Sequence, residues 1–170
     1  AIHRDIPRTL RSAISYPNCL SELTTETADQ LAQKYINIIR AMAGPQAERI
    51  VNKSLGNYHL VGLIELLFPK ARIIYVRRHP IDNCLSIYMN PFHLHSNSWA
   101  NDLGDIAFHR KQVDRYLAHW QEISNLPILD VQYEELVANP EEGSRRLIDF
   151  CGLEWDDRCL EFHKSKRTVM

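Results

Sequence analysis

Apolar positions along this chain alternate between two rhythms. Residues 4–14 and 26–43 carry them at helical spacing, and in the second segment Leu31, Tyr35, Ile38, Ile39 and Met42 share one stripe that stops at Gly44-Pro45. "RIVNK", 49–53, has the length and branching of a short strand. "NYHLVGLIELLF", 57–68, is apolar enough for a helix covered on most sides, and Pro69 stops it. "ARIIYV", 71–76, reads as a central parallel strand because it is apolar on both faces. Pro80 at a first helical position, with Asp82 beside the positive helix end, starts a helix that runs to about Tyr88.

The same reading continues to the C-terminus. A long helix fits 99–124, with Ile106, Val113, Tyr116, Leu117 and Trp120 inward, and "PILDVQY", 127–133, is a third strand. Asn139 stands at a cap, Pro140 follows, Leu147, Ile148 and Cys151 form an inner face, and Gly152 ends the last helix. Strands separated by helices predict right-handed crossovers and a parallel sheet covered on both faces, a three-layer α/β/α class. Without a repeat or Gly/Ser linker, residues 1–170 are expected to form a single domain.

Composition changes this picture little. The chain is 45% hydrophobic and 24% charged, the balance of an ordinary globular protein, and no apolar run reaches the roughly 18 residues of a membrane span. A cytoplasmic setting with no membrane partner is the expectation, since no leader pattern opens the chain. The net charge of −1 removes the broad basic surplus that nucleic-acid binding needs, so any basic site is local. Cys19, Cys84, Cys151 and Cys159 lack metal-ligand or redox spacing and read as reduced, mostly buried thiols.

The candidate chemistry sits in "IIYVRRHPIDNCLSIY", 73–88, where an apolar strand runs into two arginines and a proline. Ligands in open parallel sheets bind beyond the carboxyl ends of strands, where helix N-termini also point. A phosphate there would meet a guanidinium fork, backbone N–H groups and the hydroxyl of Ser86. Neighbouring strand residues face opposite sides, so the pair divides: Arg77 is expected to pair with a carboxylate, Arg78 to face the ligand.

The spacing of Arg78, Asp82 and Ser86 resembles the 3′-phosphate-binding segment of sulfotransferases that use 3′-phosphoadenosine 5′-phosphosulfate (PAPS). "NKSLGNYHLVGLIELLFPKARIIYVRRHPIDNCLSIY" looks like the central block of the bacterial and tyrosylprotein-type branch, often joined to tetratricopeptide repeats. "VQYEELVANPEEGSRRLIDFCGLEWDD" is similar to its later block, with Tyr133-Glu134 and the run Gly152 to Trp155. The likeness covers about residues 48 to 170. It implies a P-loop-type sulfotransferase fold and transfer of a sulfuryl group from PAPS to a hydroxyl acceptor, leaving adenosine 3′,5′-bisphosphate (PAP) and needing no metal. By the same resemblance Arg78 and Ser86 hold the 3′-phosphate, Tyr133 lies against the adenine, and Lys53 is the catalytic cation at the transferring group. Asp82 completes the helix start and braces Arg78.

The family pattern is incomplete in this stretch. Glycines at 44, 56, 62, 104, 143 and 152 form no phosphate-cradling turn, Leu55 stands where the cytosolic branch has a histidine base, and Asn52 replaces a common aspartate. The expectation is a piece of a longer sulfotransferase that carries the 3′-phosphate half of the donor site. Its missing central strand would leave a sheet edge for a second copy to pair with as a homodimer. A non-catalytic nucleotide-binding or scaffold module is the alternative. His93 and His95 would need a third ligand to hold a metal, no Gly-x-Ser-x-Gly elbow suggests a hydrolase, and Glu134-Glu135 reads as a solvated face that pairs with a neighbouring helix.

Overall fold

The computed structural model describes residues 6–44, 49–90 and 97–164, which fall into two compact units. His93 and His95 lie outside the described residues.

The first unit takes the chain up to Ala71 and adds Glu122–Asn125. Its helices are α1 (Ile6–Leu10), α2 (Thr25–Ala43) and α3 (Val61–Leu67). Thr24 starts α2 with a reciprocal cap: its hydroxyl accepts from the Thr27 N–H at 3.3 Å, and the Thr27 hydroxyl accepts from the Thr24 N–H at 3.0 Å. Ile6, Cys19, Leu31, Leu63 and Leu67 make a buried cluster. Among the four free cysteines only Cys19 is buried, so the expectation of mostly buried thiols holds for one. Glu65 of α3 accepts from the Ser124 hydroxyl at 2.7 Å and from the Asn125 backbone and side-chain amides at 3.1 and 2.8 Å.

Residues 49–53 are not a strand. Asn52 donates to the Tyr35 hydroxyl at 2.8 Å and accepts from Asn57 at 2.9 Å, so side-chain bonds hold the segment where a ladder was expected. Val51 and Leu55 stay 91% and 72% exposed, which deprives the segment of the burial a strand needs. The expected 57–68 helix is also divided. A 3-10 turn covers Asn57–His59, and Leu60, at φ −113°, ψ 8°, separates it from α3.

The second unit holds Arg72–Gln121 and Leu126–Met170. Strand β1 (Ile73–Arg77) leads to α4 (Pro80–Met89), α5 spans Leu103–Ile123, and β2 (Ile128–Gln132) follows. Two further helices are α6 (Tyr133–Ala138) and α7 (Pro140–Phe150). The strands pair in parallel from Ile73↔Ile128 to Arg77↔Gln132. This is a mixed α/β fold with a small parallel sheet; of the three strands expected, two are present among the described residues. β1 is not covered on both faces: Ile74 and Val76 are 40% and 49% exposed.

Local chemistry explains the ends of α7. Pro140 occupies its first turn and Gly152 follows it at φ 65°, where a side chain would be strained. The Leu153 N–H reaches back to the Ile148 carbonyl at 3.1 Å, the six-to-one bond of a Schellman end. Arg72, just before β1, donates to the Phe150 carbonyl and puts a cation at the negative helix end. Asn139 stands at the N-cap position, but its side chain makes no capping bond.

Candidate functional site

The last register pair of the sheet, Arg77↔Gln132, brings two turns side by side: Arg78-His79 before α4, and Tyr133-Glu134 opening α6. Strand alternation then separates the two arginines. Arg77 shares a side with Tyr75 and reaches Asp130, whose register partner is Tyr75. Its Nε donates to Asp130 Oδ1 at 2.8 Å and its Nη2 donates to Oδ2, a two-point fork that neutralises the charge. The guanidinium also lies 5.6 Å from the Tyr75 ring centre. Burial raises the Tyr75 phenol above its ordinary pKa, which keeps it neutral beside this pair.

Arg78 has no such partner. It is half-buried, and among the described residues no carboxylate lies within ion-pair reach and its buried Nε–H has no acceptor. The guanidinium is held instead by the Tyr133 ring, 5.2 Å from its centre. Arg110 of α5, fixed by Asp114 at 3.0 Å, donates to the Arg78 carbonyl at 3.4 Å and restrains the backbone. A half-buried guanidinium with an unsatisfied donor is a costly arrangement, and an anion arriving at it removes that cost.

Glu134 closes the other side of the turn. Its Oε1 accepts the His79 N–H at 2.9 Å, and its Oε2 accepts from the Gln132 amide. These two bonds, and behind them the positive charge of Arg78, hold the carboxyl below the usual carboxylate range. Asp82 does not brace Arg78. Its carboxylate faces the ring of His79, the residue before α4, 3.9 Å from Nδ1.

Ser86 sits half-buried on α4, one turn past Asp82, and its carbonyl accepts from the Asn90 amide at 2.6 Å. Lys53 belongs to the first unit, with its side chain exposed on the segment that Asn52 ties to Tyr35. The structure therefore brings Arg78 and Tyr133 together, and leaves the hydroxyl of Ser86 without a hydrogen bond among the described residues. Sequence reasoning did not find Asp130, Arg110 or Glu134 as parts of this corner. The strand register, which pairs residues 55 positions apart, brings in Asp130 and the Glu134 turn, and Arg110 reaches the corner from α5. Among the described residues no group of three or more His, Cys, Asp or Glu could hold a metal ion, and no helix is long and apolar enough to cross a membrane.

Comparison with known proteins places this corner in context. A family model described as "Sulfotransferase family" matches residues 3–157. An uncharacterized protein of Aquifex aeolicus (strain VF5) is 33% identical over 156 residues, which cover 91% of this chain and 20% of that protein. The chain thus spans about a fifth of the length of this relative. No solved structure matches.

Proposed function

The chain belongs to the sulfotransferase family, and from that premise we propose that it carries the 3′-phosphate half of a PAPS donor site within one sulfotransferase domain. The observation that carries the reading is Arg78, a half-buried guanidinium with an unpartnered Nε–H, while the adjacent Arg77 is already neutralised by Asp130.

In this reading the 3′-phosphate supplies the anion that Arg78 lacks. The first turn of α4 adds backbone N–H groups, which helix geometry leaves without internal partners, and Ser86 adds its hydroxyl. Tyr133 has two tasks, holding the guanidinium and offering ring surface to the adenine, for which its 41% exposure leaves room. Lys53 provides the positive charge for the sulfuryl group. The acceptor oxygen attacks sulfur, the bond from sulfur to the 5′-phosphate oxygen breaks, and PAP departs. The acceptor proton passes to a base that these residues do not include. Positioning and electrostatics supply most of the catalysis in such transfers, so the cations rather than a covalent intermediate carry the work.

Calorimetric titration tests this directly, with PAP as ligand, adenosine 5′-phosphate as control and Arg78→Ala as the variant. The expected result is a preference for PAP that falls by about tenfold or more in the variant, the worth of a charge-assisted bond. Equal affinity for the two nucleotides, or a preference that survives Arg78→Ala, would refute the assignment. A chain that prefers PAP but releases none of it from PAPS in the presence of phenolic acceptors would instead be a nucleotide-binding module without transfer.

A further inference from the structure

Arg78 is held by its neighbours, not by a counter-ion, so the direction of its guanidinium depends on the backbone of the turn that bears it. Pro80 contributes no N–H to that turn, and His79 contributes its N–H to Glu134 at 2.9 Å. No side-chain cap fixes the start of α4. Glu134 is itself anchored: it is the second residue of α6, next to the Tyr133 ring that lies under Arg78, and Gln132 of β2 donates to its other oxygen. One carboxylate therefore joins the β1–α4 turn to the β2–α6 turn, across which Arg78 and Tyr133 meet.

We propose that Glu134 is a positioning residue for the anion site: by accepting the His79 N–H it fixes the Arg78 turn against Tyr133. This rests on the Arg78 reading and adds a consequence of its own. With the turn fixed, the guanidinium is held where a 3′-phosphate meets it, while the nucleotide's remaining contacts are indifferent to Glu134. The low-lying pKa of the carboxyl agrees with an acceptor that stays ionised while it does this.

The variants Glu134→Ala and Glu134→Gln separate the role from mere folding, because glutamine keeps an acceptor oxygen for the His79 N–H and alanine does not. Two readouts are taken on each: amide hydrogen exchange at His79, and the ratio of affinities for PAP and adenosine 5′-phosphate. Glu134→Ala should speed exchange at His79 and reduce the ratio by about tenfold. Glu134→Gln should keep both close to those of the unaltered chain, and affinity for adenosine 5′-phosphate should hold in all three proteins. Unchanged exchange and an unchanged ratio in Glu134→Ala would overturn the inference while leaving Arg78 in place. Loss of both nucleotides together would overturn it as well, since a general structural role predicts that. An unaltered chain that shows no preference for PAP would end the Arg78 reading and this inference with it, even if the His79 amide responds.

Discussion

Arg77 and Arg78 are chemically identical neighbours with opposite accounts, and the difference is measurable. Truncating Arg77 removes a fork to Asp130 and leaves a partly buried carboxylate behind; for a pair about a third exposed, solvent screening limits the loss to about 1 kcal/mol. Truncating Arg78 removes a ring contact of similar small size but also removes a buried donor that has no acceptor, and the two effects offset. Denaturant unfolding should therefore show Arg77→Ala destabilised and Arg78→Ala near the unaltered chain. If Arg78→Ala costs more than Arg77→Ala, Arg78 is a structural residue and the anion reading weakens. That the two would divide is legible from strand alternation alone. The partner is not: Asp82 is near in sequence, whereas Asp130 is brought in by a register that no local pattern encodes.

Among the elements, those with chemical punctuation follow the sequence closely. The helix starting at Pro80 was expected to reach Tyr88 and ends at Met89, and the one from Pro140 closes at Gly152 through a backbone bond that only a left-handed residue permits. Where the sequence misleads, a competing bond or a missing neighbour is responsible. Residues 49–53 have strand composition, yet Asn52 satisfies Tyr35 and Asn57, and Val51 finds nothing to pack against. The third strand was expected to include Tyr133, but the chain turns helical there, which is what sets the ring beneath Arg78. The pairing of α6 with α7 carries its own test. A Cβ at Gly143 would stand 2.5 Å from Leu136 Cδ1 and 3.3 Å from its Cα, so the side chain could swing aside but the backbone could not. The helix propensity gained by alanine, about 0.5–1 kcal/mol, is outweighed by overpacking of about 1–3 kcal/mol. Gly143→Ala should lower unfolding stability by about 1 kcal/mol, while Gly56→Ala, where a Cβ meets nothing within 4 Å, should change little. Equal effects at the two positions would mean that the helices do not approach as closely as described.

For the whole molecule, a net charge of −1 means that the proposed attraction of a phosphorylated nucleotide does not rest on an overall basic surplus. The proposal rests on a local imbalance, and Arg78, whose Nε–H has no acceptor among the described residues, lies next to a helix start. The family, the parallel strand pair and the division between a paired Arg77 and Arg78 were legible in the sequence; the small sheet and the Glu134 link were not, because both depend on which distant segments meet. Nuclear magnetic resonance of the guanidinium signals in the whole chain examines the corner itself. With the Arg78 Nε–H resonance assigned by its disappearance in Arg78→Lys, PAP is added to the unaltered chain. The account predicts that this resonance moves strongly downfield and exchanges more slowly with water as it gains an acceptor, while the Arg77 resonance, already bonded to Asp130, stays where it is. An Arg78 signal that stays still while PAP shifts others in the chain would contradict the account, because the nucleotide would then be bound elsewhere.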